Sequence, residues 1–305
     1  MNKKLLLTLS AGLLAMGGLA ACGKTGDGKV HVKFWHTMGQ NNEALLNRMI
    51  AEFEEANPDV KIEAYSQGAY GDIASKIGDA IPAGTTPTMS FCYPDNVANY
   101  MTAGAIEDLT PYVDNEEYGL SAEDKADFVK SYWDEGTNYA QSGVYSVPYA
   151  KSTEAIFYNK TVFAENGWTI PTTWEQMWIL CNEIVAKYPQ IIPLGYDSDS
   201  NLFITWCEQN GYNYTSQTGE HFAFNNADTK AMVKMFKEHY DAKHFFTKGT
   251  QPNATYTSTK FTNQELLMSI GSTGGTTYNK SLNFEVGVAP IPSGTLNGHV
   301  VSQGP

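Results

Sequence analysis

Residues 30–65 read VHVKFWHTMGQNNEALLNRMIAEFEEANPDVKIEAY, and the fold class turns on them. Residues 30–35 alternate with few breakers, the period of a strand. Residues 41–56 change period: Leu45, Leu46, Met49, Ile50 and Phe53 recur at helical spacing. Asn57-Pro58-Asp59 stops that helix, and residues 60–65 alternate again as a second strand. Working outward, a helix is expected over 72–80, a strand over 88–93 and a helix over 96–103. Strands alternating with helices predict an α/β protein with a mainly parallel sheet covered on both faces.

The pattern returns later in the chain. Residues 144–149 and 155–159 read as strands. Pro171-Thr172-Thr173-Trp174-Glu175 has the hydroxyl caps and early acid of a helix start, and that helix is expected to run to about Lys187. A strand at 191–196, a long helix at 227–243 and strands at 266–270 and 284–290 follow. Two α/β units are therefore expected, joined near 143–149 and again near 278–290. The expected division places 30–146 with 284–305 in lobe 1 and 147–283 in lobe 2. Two crossings imply a cleft between lobes, a favoured place for a ligand. No repeat at solenoid spacing and no low-complexity tract interrupts the reading.

Composition narrows the function. The chain has 305 residues, 42% hydrophobic and 17% charged, as an ordinary folded protein has. Its net charge of −13 argues against a general nucleic-acid coat, which needs a basic stripe to neutralise phosphates. Arg48 is the only arginine, so bidentate carboxylate or phosphate clamps are scarce. Aromatic residues are plentiful, with 18 Tyr, 14 Phe and 6 Trp.

The first 21 residues have the layout of a signal peptide. Lys3 and Lys4 precede an apolar run over 5–14, and small residues lead to Leu19-Ala20-Ala21-Cys22. The alternative is a transmembrane helix, but residues 5–21 are glycine-rich and at the short limit for spanning about 30 Å of hydrocarbon. Leu-Ala-Ala-Cys resembles a bacterial lipobox. That resemblance implies cleavage before Cys22, acyl chains on its thiol and amine, and a lipid anchor on the outer face of the cell membrane. Residues 22–29 then read as a flexible tether. Its Gly23-Lys24-Thr25 lacks the strand and the spaced first glycine of a phosphate loop. Cys92, Cys181 and Cys207 have neither a disulfide framework nor metal-ligand spacing and read as small buried thiols.

No catalytic constellation emerges, so no enzyme and no cofactor or metal is expected. His239 and His244 lie five apart, outside the spacing of helical ligand pairs. Neither a His-Glu-x-x-His nor a Gly-x-Ser-x-Gly motif occurs. Recognition remains. Trp35-His36-Thr37-Met38-Gly39-Gln40, Gly68-Ala69-Tyr70-Gly71-Asp72 and Tyr93-Pro94-Asp95-Asn96 each follow a strand. Ligands of open α/β sheets sit beyond the carboxyl ends of strands. Aromatic faces beside short polar side chains suit a polyhydroxylated ligand: rings cover C–H surface while Asp, Asn and Ser pair with hydroxyls. For any single aromatic residue, core packing is the competing role.

Residues 148–160, Pro-Tyr-Ala-Lys-Ser-Thr-Glu-Ala-Ile-Phe-Tyr-Asn-Lys, continue to Phe163 and Glu165. With Pro171-Thr172-Thr173-Trp174, residues 91–111 and residues 284–292, they resemble the extracellular solute-binding proteins of ABC importers, which include the maltose and glycerol-3-phosphate binders. Tyr149 departs from the family's aliphatic or Phe. The resemblance covers nearly all of 22–305. It implies a bilobal, periplasmic-binding-protein-like (type II) fold that captures a sugar or short oligosaccharide by lobe closure. It further implies delivery to a membrane permease with its ATPase, and action as a monomer.

Ligand contacts implied by the resemblance are Trp35 and His36 at the cleft floor, Tyr70, Asp95, Ser152, Phe203 and Trp206 on the second-lobe wall, and Ser272 with Gly274 in a Ser/Gly-rich turn. Gly274 stands where the maltose branch has tryptophan, which argues against a long maltooligosaccharide. The family continues with further helices beyond the point where this sequence stops, at Gln303-Gly304-Pro305. A C-terminally truncated second lobe with an exposed apolar surface is therefore expected. The scarcity of arginine favours a neutral sugar. The alternative within the family is glycerol 3-phosphate or a glycerophosphodiester, with Lys151 and the 271–275 turn as anion groups. More remote alternatives are a glycan-binding adhesin and an anchored glycosidase, for which Asp72, Asp95 and Glu154 would supply carboxylates.

Overall fold

A computed structural model describes residues 26–216 and 219–305. The signal peptide and the Cys22 lipidation site lie outside the described residues. The chain divides into two compact units, with boundaries between Ala150 and Lys151 and between Gln303 and Gly304.

In the first unit, β1 (Val30–His36) is central. It pairs in parallel with β2 (Val60–Ser66) on one side and β3 (Met89–Ser90) on the other, giving the order β2-β1-β3. Side chains alternate across a strand, so neighbouring Phe34 and Trp35 face opposite ways. Phe34 packs with Leu46 and Ile50 of α1 (Gln40–Ala56) and with Phe91. Trp35 packs with Ile73 and Ile77 of α2 (Tyr70–Ala83) and with Tyr100 of α3 (Pro94–Thr102). The sheet is thus covered on both faces, as the alternation requires. Helix α1 buries only part of its apolar set: Leu46 is buried, while Leu45, Met49 and Phe53, spaced four apart, are 45–47% exposed.

Three short helices, α4 (Thr110–Val113), α5 (Ala122–Asp127) and α6 (Lys130–Glu135), complete this unit. Residues 144–149 form no strand. Their backbone hydrogen bonds scatter, Leu109 N–H to Val144 O, Tyr145 N–H to Gly136 O and Tyr149 N–H to Pro305 O, and Pro148 has no N–H to give a ladder.

The second unit begins with β4 (Glu154–Asn159), α7 (Lys160–Asn166), α8 (Trp174–Lys187), β5 (Ile192–Tyr196) and α9 (Asp199–Asn210). It continues through α10 (Ala227–Asp241), β6 (Phe245–Thr247), α11 (Thr257–Thr262), β7 (Leu266–Ser272) and β8 (Val286–Ala289). The sheet order is β6-β5-β7-β4-β8. β5 runs parallel to β6 and β7, while β4 runs antiparallel to β7 and β8. This sheet is therefore mixed rather than mainly parallel. Residues 284–303 belong to this unit and not to the first, because β8 lies antiparallel along β4, Asn159 opposite Val286. Alternation marks 286–289 as a strand but carries no information about its partner.

A large core of Trp174, Trp178, Trp206, Met177, Ile184 and Met268 fills one face of this sheet, and Phe157, Phe246, Phe261 and Leu266 fill the other. Cys181 and Cys207 are buried thiols of the larger core; burial raises the thiol pKa of both, that of Cys207 to about 11.

Candidate functional site

In the first unit the polar and aromatic groups gather at the carboxyl ends of β1, β2 and β3. The loop after β2 turns sharply at Gly68, whose φ of +99° suits glycine; a Cβ there would stand 2.5 Å from Asp72 Oδ2. Asp72 is thereby committed to the start of α2, accepting the Ala69 N–H at 2.7 Å. This turn sets Tyr70 against the neighbouring loops. Its ring stacks on Tyr93 with centroids 4.5 Å apart. Burial holds the Tyr70 hydroxyl above its ordinary pKa, so it is neutral and can donate or accept. Tyr93 caps α3, and Asp95 lies exposed in the first turn of that helix, where the helix dipole favours a carboxylate. Tyr149, 46% exposed, rests on Phe91 at 4.6 Å.

Tyr70, Tyr93 and Asp95 thus share one neighbourhood. The two other residues expected here have different surroundings. His36 is 1% exposed, and its Nδ1 accepts the Met38 N–H at 3.1 Å. Burial lowers its pKa, which keeps the ring neutral. It supports the loop from below instead of facing a ligand. Trp35 is half-buried against Ile73, Ile77 and Tyr100, so most of its ring serves the core. Sequence reading placed Tyr93 in a recognition loop but not among the ligand contacts, and left Tyr149 out of the site; which ring each meets is a tertiary matter.

In the second unit, Ser152, Ser272 and Gly274 are brought together. The Ser272 hydroxyl donates to Ser152 Oγ at 2.9 Å and accepts the Gly274 N–H at 3.1 Å. Ser152 exchanges backbone hydrogen bonds with Gln303. Glu154, opposite Ser272 in the sheet, is only 4% exposed. Its Oε2 accepts from the Tyr196 hydroxyl, and its Oε1 accepts from Asn201 Nδ2 at 2.8 Å. Burial raises its pKa, and the nearby Asp197 pushes the same way. Asn201 and Gln303 had no distinguishing pattern in the sequence.

Trp206 does not line a wall. It is 8% exposed, wedged between Trp174 at 5.3 Å and Phe236 at 4.9 Å, because it falls on the face of α9 that also buries Leu202 and Gln209. Phe203 is half-buried on a different side of the helix. It borders an apolar cavity of about 470 Å³ formed with Met232, Phe236 and Phe245. Arg48 is exposed on α1, 3.8 Å from Glu52. Among the described residues no cluster of three side chains could hold a metal ion.

A β2-β1-β3 parallel sheet in one unit and a mixed five-stranded sheet in the other, with polar groups at strand ends, define the two-lobed α/β class of periplasmic-binding-protein-like folds (type II). The chain belongs to the bacterial extracellular solute-binding protein family, whose model matches residues 48–304. It is 27% identical over 188 residues to the multiple sugar-binding protein of Streptococcus mutans, covering 58% of this chain and 41% of that protein. It is 24% identical over 278 residues to the sn-glycerol-3-phosphate-binding periplasmic protein of Salmonella paratyphi A, covering 86% and 60%. The chain therefore spans well under two thirds of the length of these curated relatives. The crystal structure of the GacH receptor of Streptomyces glaucescens, solved unliganded and with acarbose, superposes with a TM-score of 0.71 at 21% identity, covering 89% of this chain and 69% of that one.

Proposed function

We propose that the protein is the substrate-capturing lipoprotein of an ABC importer and that its substrate is a neutral carbohydrate. The observation that carries the choice is the Tyr70–Tyr93 stack beside Asp95 at the carboxyl edge of a parallel sheet. Ring faces cover the C–H surface of a sugar, and a carboxylate takes its hydroxyl protons. Ser152, Ser272 and Gly274 form a separate polar group within the second unit. Trp35 and Phe203, each half-buried, offer partial ring faces.

The proposed step is closure of the two lobes on the sugar, which the ligand favours by its higher affinity for the closed form. The loaded protein then docks on a permease whose partner ATPase supplies the work. Anchoring through acylated Cys22 on the outer face of the cell membrane belongs to the same proposal. A binding role without catalysis is supported by the carboxylates themselves. Asp72 is engaged at a helix start, and both oxygens of Glu154 are occupied by Tyr196 and Asn201.

The second reading, a glycerol phosphate ligand, draws on the likeness to the Salmonella protein. Titration calorimetry with glucose, sucrose, raffinose, maltotriose and glycerol 3-phosphate separates them. Micromolar binding of a saccharide, about −8 kcal/mol, is the expected result. Binding of glycerol 3-phosphate alone would replace the first reading by the second.

A further inference from the structure

Glu154 poses a physical problem. A carboxyl group in a core is costly unless its oxygens are satisfied, and the charged neighbour acting on it, Asp197, is another acid. Its hydrogen-bond partners are Tyr196 and Asn201, and no cation among the described residues pairs with it, so its value must lie in what its hydrogen bonds fix. One of them fixes Asn201. Asn201 turns Nδ2 toward Glu154, donating to Oε1 at 2.8 Å. The second Nδ2 proton then meets Gln303 Oε1 at 3.1 Å, which sets the orientation of Gln303 in turn. Two amide groups whose orientation would otherwise be open are thus set in series by one buried carboxyl.

The consequence lies on the outer side of this chain. With Asn201 Nδ2 and Gln303 Oε1 used against each other, the groups left over are Asn201 Oδ1, an acceptor, and Gln303 Nε2, a donor. Neither has a hydrogen-bond partner among the described residues, and both side chains are half-buried. The Ser152–Ser272 hydroxyl pair adjoins them, because Ser152 and Gln303 pair backbone to backbone. Adjacent hydroxyls on a sugar ring each donate and accept, so an acceptor beside a donor matches two of them. A phosphate oxygen only accepts and would meet Asn201 Oδ1 unfavourably.

We propose that Glu154 is a positioning residue, locking Asn201 so that Asn201 Oδ1 and Gln303 Nε2 together receive two adjacent hydroxyls of a neutral ligand. The inference rests on the carbohydrate reading for its ligand class but not for its geometry. It makes Glu154→Gln the conservative replacement, since a glutamine oxygen still accepts from Asn201. Glu154→Met, close in volume, removes the acceptor.

The test is run on the full chain with two readouts. In ¹⁵N NMR spectra, the Asn201 side-chain amide should exchange slowly in the wild type and in Glu154→Gln, and move to free-amide shifts and fast exchange in Glu154→Met. In calorimetry against the saccharides above, Glu154→Gln should stay within about threefold of wild type, while Glu154→Met and Gln303→Met weaken binding at least tenfold. An Asn201 amide unchanged in Glu154→Met, or saccharide affinity unchanged in Gln303→Met, overturns the proposal. Should Glu154→Met fail to fold, Gln303→Met decides, because it leaves the Glu154–Asn201 bond in place. If no saccharide binds the wild type, the carbohydrate reading fails on its own, and the amide spectra still decide the role of Glu154.

Discussion

Tyr70 shows how one residue can be both structural and functional. Its ring is held by Tyr93, so a ligand would meet a preformed surface and would not have to order a loose side chain. Tyr70→Ala removes the stack. Saccharide affinity is expected to fall at least tenfold, with a loss of stability of about 1–3 kcal/mol, since a half-buried ring is deleted. Tyr70→Phe keeps the stack and should change stability by no more than about 1 kcal/mol. Calorimetric titration and urea denaturation of the two variants separate the two effects. The same reasoning demotes His36 and Trp206. A histidine or tryptophan near a strand or helix end looks available in sequence, and burial makes each a packing residue.

At the scale of elements, the junction from α10 to β6 carries a pH-dependent contact. His239 stacks on Trp178 at 3.9 Å, and its Nδ1 lies 2.8 Å from Nδ1 of His244. One nitrogen must donate and the other accept, so the pair cannot hold protons on both. Burial lowers the pKa of both rings, and His244 adds to the lowering at His239. The unfolded chain therefore binds protons below about pH 6.5 that the folded chain refuses, and stability falls as pH drops through that point. His36 acts in the same direction. His31, half-buried and held between Glu63 and Asp27, has a raised pKa and opposes it. The buried carboxyls of Glu154 and Asp197, whose pKa burial raises, oppose it as well, so the pair is read by comparison: between pH 7 and pH 5 the melting temperature of His244→Phe should fall less, or rise more, than that of the wild type, and an equal slope in the variant would remove the pair as a contributor.

Elements also mark where the sequence stopped being legible. The periodicity of α1 and α8 was readable because each turns one face to a core, and β1, β2 and β5 were readable as short runs bounded by breakers. Helix α9 was not, since its buried set includes Thr205 and Gln209 alongside Leu202 and Trp206 and blurs the apolar period. The stripe of Leu45, Met49 and Phe53 was legible as apolar but not as exposed.

For the whole molecule, binding must appear as stability. A saccharide present at 100 times its dissociation constant stabilises the folded chain by about 2.7 kcal/mol and raises its melting temperature by mass action. Scanning calorimetry across the saccharide panel should show that rise for the same sugar that titration finds. Small-angle scattering with that sugar should show compaction, and a scattering curve unchanged at saturation would count against lobe closure.

The residues of the candidate site divide in the same way as the fold. Tyr70, Asp95, Ser152 and Ser272 could be named from loops that follow or flank strands. Glu154, Asn201 and Gln303 could not be joined, because they are 47 and 102 residues apart along the chain and meet only through hydrogen bonds.

What the sequence determined by itself was local and periodic: two runs of alternating strands and helices, an acidic surface with a single arginine, and a leader of signal-peptide layout. Only the tertiary structure decided that 286–289 pairs with β4, that Trp206 and His36 are buried, and that one carboxyl sets the orientation of two amides. The reason is physical. Side-chain period follows from backbone geometry within one element, whereas pairing, burial and hydrogen-bond partners depend on which distant elements arrive beside it.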